Sequence, residues 1–173
     1  TTRSRGTPAA STRATSDAEF ISAIATADAV IHLAGVNRPQ DPAEFDRGNA
    51  GFTARLCDAL RGARRAVPIA FASSIQVDRD NPYGRSKRAA EERLFAHARE
   101  TGAPVTVYRL PNVFGKWCRP NYNSAVATFC HNIARGLPIR IDDPAAPVRL
   151  VYIDDVVAEL RRFLDDPARR AGI

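Results

Sequence analysis

The chain has 173 residues, which is enough for one domain with a sizeable hydrophobic core. Hydrophobic residues make up 45% and charged residues 25% of the chain, so a disordered, collagen-like or disulfide-dependent miniprotein is excluded, and no apolar run reaches the ~18 residues of a membrane span. The formal net charge of +6 comes from 23 Arg and 2 Lys, but the arginines are scattered and many stand beside acidic residues, so no nucleic-acid partner is predicted.

The first third of the chain predicts a helix, a strand and a second helix. Residues 1–16 are rich in Thr, Ser, Arg and Ala and are expected to form a loose lead-in. The predicted elements that follow are a helix that Asp17 caps and that runs through Ile24, a buried strand over 29–33, a Pro-containing loop over 37–42, and a helix over 43–62 that Gly62 ends.

The rest of the chain continues this alternation. The predicted elements are a buried strand over 67–72 that stops at Ser73 and Ser74, a polar loop, a strong helix over 83–101 that Gly102 stops, a strand over 105–108, a helix over 122–135, short strands over 139–141 and 148–153, and a last helix that Asp154 or Asp155 caps. Glu91 is expected on a solvated helix face. Strands that alternate with helices predict the α/β class with a parallel sheet.

Tyr83 and Lys87 open the strongest predicted helix and lie four residues apart, so they share one helical face. A phenol with its usual pKa of about 10 is a poor base at neutral pH, but a nearby ammonium lowers that pKa. The pair is therefore suited to pass a proton to or from a substrate oxygen. Ser74 ends the preceding strand at its carboxyl edge, where ligands bind in open α/β sheets.

These residues, with two longer segments, resemble the extended, sugar-nucleotide-modifying branch of the short-chain dehydrogenase/reductase superfamily, over about residues 17–165. Residues 28–35 (DAVIHLAG) resemble its strand beside the cofactor, and residues 109–115 (RLPNVFG) resemble the segment that passes the nicotinamide and the sugar. Ser74, Tyr83 and Lys87 match its Ser-Tyr-Lys triad.

The resemblance implies a role for each matching residue. Tyr83 would be the general acid, Lys87 would lower the pKa of Tyr83 and hold the nicotinamide ribose, and Ser74 would orient the substrate carbonyl. The residues expected at the cofactor are Leu33, Ala34, Gly35, Val36, Asn49, Ser73 and Pro111, and those expected at the sugar nucleotide are Asn112, Lys116 and Asn123. No metal site is expected, because the three Cys and three His lack ligand spacing.

Several of these positions also have a purely structural interpretation. Asn49 is alternatively a helix-surface amide, Asn123 a helix N-cap and Lys116 a solvated loop lysine. Trp117 is either part of the core or, beside Tyr122, a platform that stacks on uracil or a sugar face. His32 is interpreted as a satisfied strand histidine rather than a ligand.

The superfamily's glycine-rich phosphate loop, GxxGxxG, does not occur in the sequence, so the chain is expected to begin downstream of it and to bind a nicotinamide dinucleotide weakly by itself. The expected fold is a Rossmann-like parallel sheet flanked by helices, incomplete because its first strand and that loop are missing. It would form a single partial domain over 1–173, in which residues 112–173 are part of the small substrate-binding region. NADP(H) is favoured over NAD(H) as the cofactor.

A narrower resemblance is carried by residues 35–39, 73–76, 81–84 and above all 114–124 (FGKWCRPNYNS). It points to the reductase domain of capsular-polysaccharide enzymes in which a cupin domain follows. The implied function is NAD(P)-dependent reduction of a 4-keto-6-deoxy UDP-N-acetyl-hexosamine for capsule or surface polysaccharide, in a cytoplasmic homodimer.

Two alternatives to this function stay open. One is a sugar-nucleotide 4-epimerase or 4,6-dehydratase, although Ile75 and Gln76 stand where a dehydratase usually has Asp-Glu. The other, from a different class, is a non-catalytic NAD(P)-binding protein.

Overall fold

The computed structural model describes residues 9–12 and 15–167, so most of the predicted lead-in lies outside the described residues. The helices are Asp17–Thr26 (α1), Ala43–Phe45 (α2), Phe52–Gly62 (α3), Pro82–Thr101 (α4), Ala125–Ile133 (α5) and Ile153–Asp165 (α6). The strands are Val30–His32 (β1), Ile69–Ser74 (β2), Val105–Leu110 (β3), Asn112–Phe114 (β4) and Leu150–Tyr152 (β5). A π-helical turn, Asp46–Gly51, joins α2 to α3, and a 3-10 turn, Ile75–Asp78, follows β2.

The strands form two parallel sheets. In the first, β2 lies between β1 and β3, with Ile69 opposite both Val30 and Val105. In the second, β4 pairs with β5 through Asn112 and Leu150. This confirms the predicted α/β class with parallel sheets, because each pair of parallel strands is joined by a crossover that contains a helix.

The hydrophobic core lies between the first sheet and the helices on one of its faces. Its buried residues are Phe20, Ile24, Leu56, Cys57, Leu60, Val67, Ile69, Phe71, Ala90, Leu94, Val105 and Val107. On the other face, a cleft lined by Ala72 and Tyr108 of the sheet separates it from Val156 and Leu160 of α6. Helices therefore flank both faces, as expected for a Rossmann-like sheet.

The helix ends follow local signals, with two corrections. Ser16, not Asp17, caps α1: its Oγ accepts a hydrogen bond from Glu19 N and its N donates to the Glu19 carboxylate at 3.0 Å, which is a capping box. Helix α6 has no side-chain cap, and Asp154 and Asp155 lie in its first turn, where the helix dipole favours negative charge.

The strand predictions fail beyond residue 110 in two places. Residues 139–141 form no strand, and Ile139 and Ile141 are 41% and 57% exposed, so the apolar pattern there does not reflect burial in a sheet. Strand β4 was not predicted, because three residues paired far along the chain leave almost no pattern. Helix α5 begins at Ala125, three residues later than expected.

Candidate functional site

Strand β2 and helix α4 bring the predicted catalytic residues to the carboxyl edge of the first sheet. Ser74 ends β2, and the 3-10 turn then leads to Asn81, whose Oδ1 accepts a hydrogen bond from Gly84 N at 2.7 Å and caps α4. Pro82 fits the first turn of α4 because its missing N–H is not needed there. Tyr83 therefore enters the helix beside the end of β2.

Gly84 allows α4 to begin this close to the 3-10 turn. A Cβ at this position would collide with the carbonyl oxygens of Gln76 and Arg79. The turn and the helix are thus in backbone contact directly beside Tyr83, and only glycine permits that approach.

The Ser74 and Tyr83 side chains come from the end of β2 and the start of α4, which meet at the carboxyl edge of the first sheet. Burial raises the pKa of the Tyr83 phenol above its ordinary value, and the influence of the Ser74 side chain partly opposes that rise. Lys87 is not among the groups that shift this pKa, so its expected effect on Tyr83 stays a prediction. A phenol with a raised pKa stays protonated at neutral pH and is thus held as a proton donor.

Lys87 is buried one helical turn beyond Tyr83, with 4% of its surface exposed. Its Nζ donates a hydrogen bond to Ala72 O at 3.0 Å and lies 4.8 Å from the centre of the Phe71 ring. Burial lowers the pKa of Lys87 to about 8, and the Glu91 carboxylate opposes that shift. The ammonium therefore lies against strand β2.

The segment after β1 passes directly over this ammonium. Leu33, Ala34 and Gly35 are exposed, and a Cβ at Gly35 would lie 2.9 Å from Lys87 Nζ. The structure thus brings Gly35 to Lys87, with Leu33 and Ala34 exposed just before it, while Val36 is buried.

Asn49 fixes the position of Val36. It is buried in the π-helical turn, where its Oδ1 accepts from Val36 N at 2.7 Å and its Nδ2 donates to Val36 O at 3.2 Å and to Ser86 Oγ at 2.8 Å. The helix-surface alternative is therefore wrong. With its amide engaged in this way, Asn49 holds the segment beside Lys87, and a π turn at such a site is common.

The side chains of Ser73 and Glu91 contact each other, and neither lies where the sequence predicts it. The Ser73 hydroxyl donates to the Glu91 carboxylate, so its side chain faces α4 and not the open edge expected of a cofactor contact. Glu91 is 3% exposed, so its predicted place on a solvated face is wrong. Its signal in the sequence is its spacing: it follows Lys87 by four residues and so continues the helical stripe that Tyr83 begins.

The predicted sugar-side residues occupy two places. Asn112, like Pro111 of the predicted cofactor set, follows Leu110, which pairs with Ser74, so both lie at the same sheet edge as the phenol. Lys116 pairs with Asp154 at 2.6 Å and is half exposed, which agrees with the loop-lysine alternative. Asn123 is exposed and is not the N-cap of α5, because Ser124 is.

Trp117 is not part of the core. It is 96% exposed and has a φ of 60°, a left-handed conformation that side chains other than glycine rarely adopt. Arg119 lies 5.8 Å from the Tyr122 ring in the same loop. The exposed Trp117 ring is therefore available to stack on uracil or a sugar face, as the second interpretation requires.

His32 is a satisfied strand histidine, as predicted. It is 3% exposed, its Nε2 hydrogen-bonds Thr53 Oγ1 at 2.9 Å, and its ring stacks 4.8 Å from that of Phe71. Burial, with a smaller effect of the Lys87 charge, lowers the pKa of His32 to about 4.

We expect His32 to make the free energy of unfolding fall as pH is lowered from about 6.5 to about 4. In the unfolded chain His32 takes up its proton near pH 6.5, but in the folded chain only near pH 4. The stabilisation that neutral His32 provides above pH 6.5 is therefore lost as the pH falls to about 4. The full loss is about 3 kcal/mol. Urea unfolding of the wild type and His32→Gln at neutral and acidic pH measures it: the stability difference between them should shrink in acid, and a constant difference would contradict the assignment.

Within residues 9–12 and 15–167, no group of three or more His, Cys, Asp or Glu residues could hold a metal ion. Cys57, Cys118 and Cys130 are free thiols. None of the helices in the described part of the chain is long and apolar enough to cross a membrane.

Comparison with known proteins gives a consistent set of relatives. The profile of the NAD dependent epimerase/dehydratase family matches residues 9–172. The chain is 54% identical to the UDP-2-acetamido-2,6-beta-L-arabino-hexul-4-ose reductase of Pseudomonas aeruginosa. The alignment spans 154 residues and covers 89% of the chain and 41% of that protein. It is 30% identical to UDP-glucuronate 4-epimerase 1 of Arabidopsis thaliana, in an alignment that spans 167 residues and covers 83% of the chain and 38% of that protein.

The solved structure of the capsular polysaccharide assembling protein CapF from Staphylococcus aureus matches with a TM-score of 0.77 and 45% identity, over 89% of this chain and 42% of CapF. The chain thus spans about two fifths of the length of these relatives.

Proposed function

Because the chain belongs to the NAD dependent epimerase/dehydratase family, we propose that the protein carrying it reduces the 4-keto group of a UDP-linked 4-keto-6-deoxy-N-acetylhexosamine. The observation that carries this proposal is the convergence of Ser74, Tyr83 and Lys87 at the carboxyl edge of the first sheet, where α4 begins beside the end of β2. The 54% identical relative, named as a reductase of a UDP-linked hexul-4-ose, supports the choice of substrate class.

The reaction needs a proton donor and a hydrogen-bond donor on one ketone oxygen. Tyr83 gives its phenolic proton to that oxygen as the alcohol forms. Ser74 donates a hydrogen bond to the same oxygen and so orients the carbonyl. When bound, the reduced nicotinamide supplies the hydride that the carbonyl carbon accepts.

The residues present fit a nicotinamide cofactor. Glycine at position 35 lets the exposed backbone that follows β1 approach Lys87 Nζ, which a Cβ there would meet at 2.9 Å. Within the described chain, the hydrogen bond of that ammonium goes to Ala72 O, so two of its three N–H groups are free for ribose hydroxyls. We propose that Leu33, Ala34, Gly35 and Pro111 line the cofactor and that Lys87 holds its ribose. The resemblance to capsular-polysaccharide reductases favours NADPH for this role.

A 4-epimerase is the second candidate, because a 30% identical relative carries that name. The same Ser74 and Tyr83 side chains serve it, with the phenol first taking and then returning the proton of a sugar hydroxyl. An epimerase, unlike a reductase, regenerates its cofactor in every turnover.

The test follows from this difference. The full-length protein is incubated with NADPH or NADH and a UDP-4-keto-6-deoxy-N-acetylhexosamine, and both the reduced nicotinamide and the sugar are followed. One cofactor oxidised for each alcohol formed supports the reductase. Conversion of a UDP-sugar to its 4-epimer without net cofactor loss would favour the epimerase, and cofactor binding without turnover of either substrate would favour a non-catalytic protein.

Asn123, with Asn112 and Lys116, is proposed to hold the sugar nucleotide. Amides suit sugar hydroxyls, and the exposed loop leaves Asn123 free of the helix-capping role. Asn123→Ala in the full-length protein should raise the KM for the UDP-sugar several-fold, as expected for a lost hydrogen bond of ~0.5–1.5 kcal/mol. Steady-state kinetics and cofactor titration measure it, and a fall in cofactor affinity at constant sugar KM would contradict this assignment.

A homodimer, a downstream cupin domain and a cytoplasmic location complete the proposal. Mass measurement of the full-length protein in solution and its reading frame test the first two.

A further inference from the structure

Glu91 forms the centre of a buried polar cluster behind the catalytic edge. Its carboxylate accepts three contacts from Arg109, from Nε at 3.1 and 3.2 Å and from Nη2 at 2.6 Å, and one from the Ser73 hydroxyl. The carboxylate side chain is 4% exposed, whereas that of Arg109 is 32% exposed and also lies 3.9 Å from Asp78. A buried carboxylate is tolerated when it is paired and hydrogen-bonded in this way.

The three partners belong to three different elements that meet at the catalytic residues. Ser73 immediately precedes Ser74 on β2, and Arg109 precedes Leu110, the β3 residue that pairs with Ser74. Glu91 lies on α4 one turn beyond Lys87. The carboxylate therefore ties the ends of both strands to the helix that carries the phenol and the ammonium.

We propose that Glu91 is a positioning residue, which fixes Ser74 relative to Tyr83 and places a negative charge one helical turn from the Lys87 ammonium, and this role rests on the proposed function. It touches neither substrate nor cofactor, because its oxygens are taken by Ser73 and Arg109. Its effect on the reaction is transmitted through the residues that it holds.

Charges on every side of Lys87 bear on its ionisation. Burial favours the neutral amine, while Glu91 favours the ammonium. His32 on β1 is neutral at pH 7, because its pKa is about 4. The Arg109 cation from β3 is neutralised by Glu91 itself, with Asp78 of the 3-10 turn at its other side. Removing the Glu91 charge leaves nothing in this group to offset burial.

The chain offers a matched pair of variants. Glu91→Gln removes the buried charge but keeps the size and an acceptor for Ser73. Glu92→Gln removes the same charge from the next residue of α4, which is exposed. Glu91→Asp keeps the charge but shortens the side chain, so it no longer reaches both Ser73 and Arg109.

The first readout is the ionisation of Lys87, which needs no turnover. In the full-length protein labelled with [¹³Cε]lysine, this chain contributes two lysine resonances, and Lys116→Arg identifies that of Lys116. We expect the Lys87 resonance to titrate at lower pH in Glu91→Gln than in the wild type, and at the wild-type pH in Glu92→Gln. An unshifted Lys87 titration in Glu91→Gln would overturn the proposal.

The second readout is the pH profile of reduction. We expect kcat of Glu91→Gln to fall about tenfold or more, with the sugar KM unchanged and with the alkaline limb of the profile moved to lower pH. If Glu91→Gln does not fold, Glu91→Asp replaces it: kcat should fall while the alkaline limb stays in place. Wild-type kcat in the variant tested would overturn the proposal. If Glu91→Gln shows the lysine shift but the wild type reduces no 4-keto sugar, the proposed function is refuted and the electrostatic role of Glu91 still stands.

Discussion

Replacing Tyr83 with phenylalanine is expected to lower kcat for ketone reduction by roughly 10²–10⁴-fold, while cofactor affinity stays nearly unchanged. The phenol is the group that gives the proton, and Ser74 has a hydroxyl too weakly acidic to replace it. The ring itself remains and still packs 5.9 Å from that of Phe45, so the helix start should be preserved. Single-turnover reduction and calorimetric titration of the cofactor measure the two quantities separately.

The matched control is Tyr152→Phe. That substitution removes the same hydroxyl from a ring that packs against Phe114 in the second sheet, so kcat should stay within about twofold of the wild type. Turnover by Tyr83→Phe at the wild-type rate would remove Tyr83 from the mechanism and with it the proposed reaction.

Gly84→Ala should damage both stability and catalysis. The added methyl group would collide with two backbone oxygens, those of Gln76 and Arg79, which cannot rotate away as a side chain can. Relief requires the start of α4 to move from the 3-10 turn, and this carries Tyr83 away from Ser74. We expect the free energy of unfolding to fall by about 1–3 kcal/mol or more, with kcat reduced about 100-fold, as for misplacement of ~1 Å.

Gly62→Ala is the control for this substitution. Gly62 is also helical, but a Cβ there meets nothing within 4 Å, so alanine should be neutral or stabilise by up to about 1 kcal/mol. Urea unfolding of both variants measures the contrast. Equal stability of Gly84→Ala and the wild type would show that the turn and the helix can separate at little cost.

Much of the catalytic edge could be predicted from local pattern. The apolar run that stops at Ser73 and Ser74, the proline and asparagine before Tyr83, and the four-residue spacing to Lys87 are all short-range signals, and strand β2 and helix α4 form within two residues of the predicted bounds. Parallel strands place their carboxyl ends at one edge, so the meeting of Ser74 with Tyr83 follows from these signals together.

Glu91 and Asn49 could not be placed in the same way. A glutamate in a run of charged residues has the pattern of a solvated face, and its burial depends on Ser73 and Arg109, both 18 residues away. The fixed amide of Asn49 depends on a π turn that adds one residue to an otherwise regular helix. Helical spacing puts Glu91 on the stripe of Tyr83 and Lys87, but its burial and the fixed amide of Asn49 arise from tertiary contacts, which that spacing does not encode.

The parallel pairing of all five strands also bears on how the catalytic edge forms during folding. Every strand partner lies more than 30 residues further along the chain, so within the described residues no sheet contact can start from a tight turn. Loop closure must precede each pairing, and such non-local topologies fold slowly. Helix α4, with 20 residues and caps at both ends, can form early from local contacts. The proton donor and the ammonium that it carries would then be aligned with each other before the strand bearing Ser74 arrives beside them.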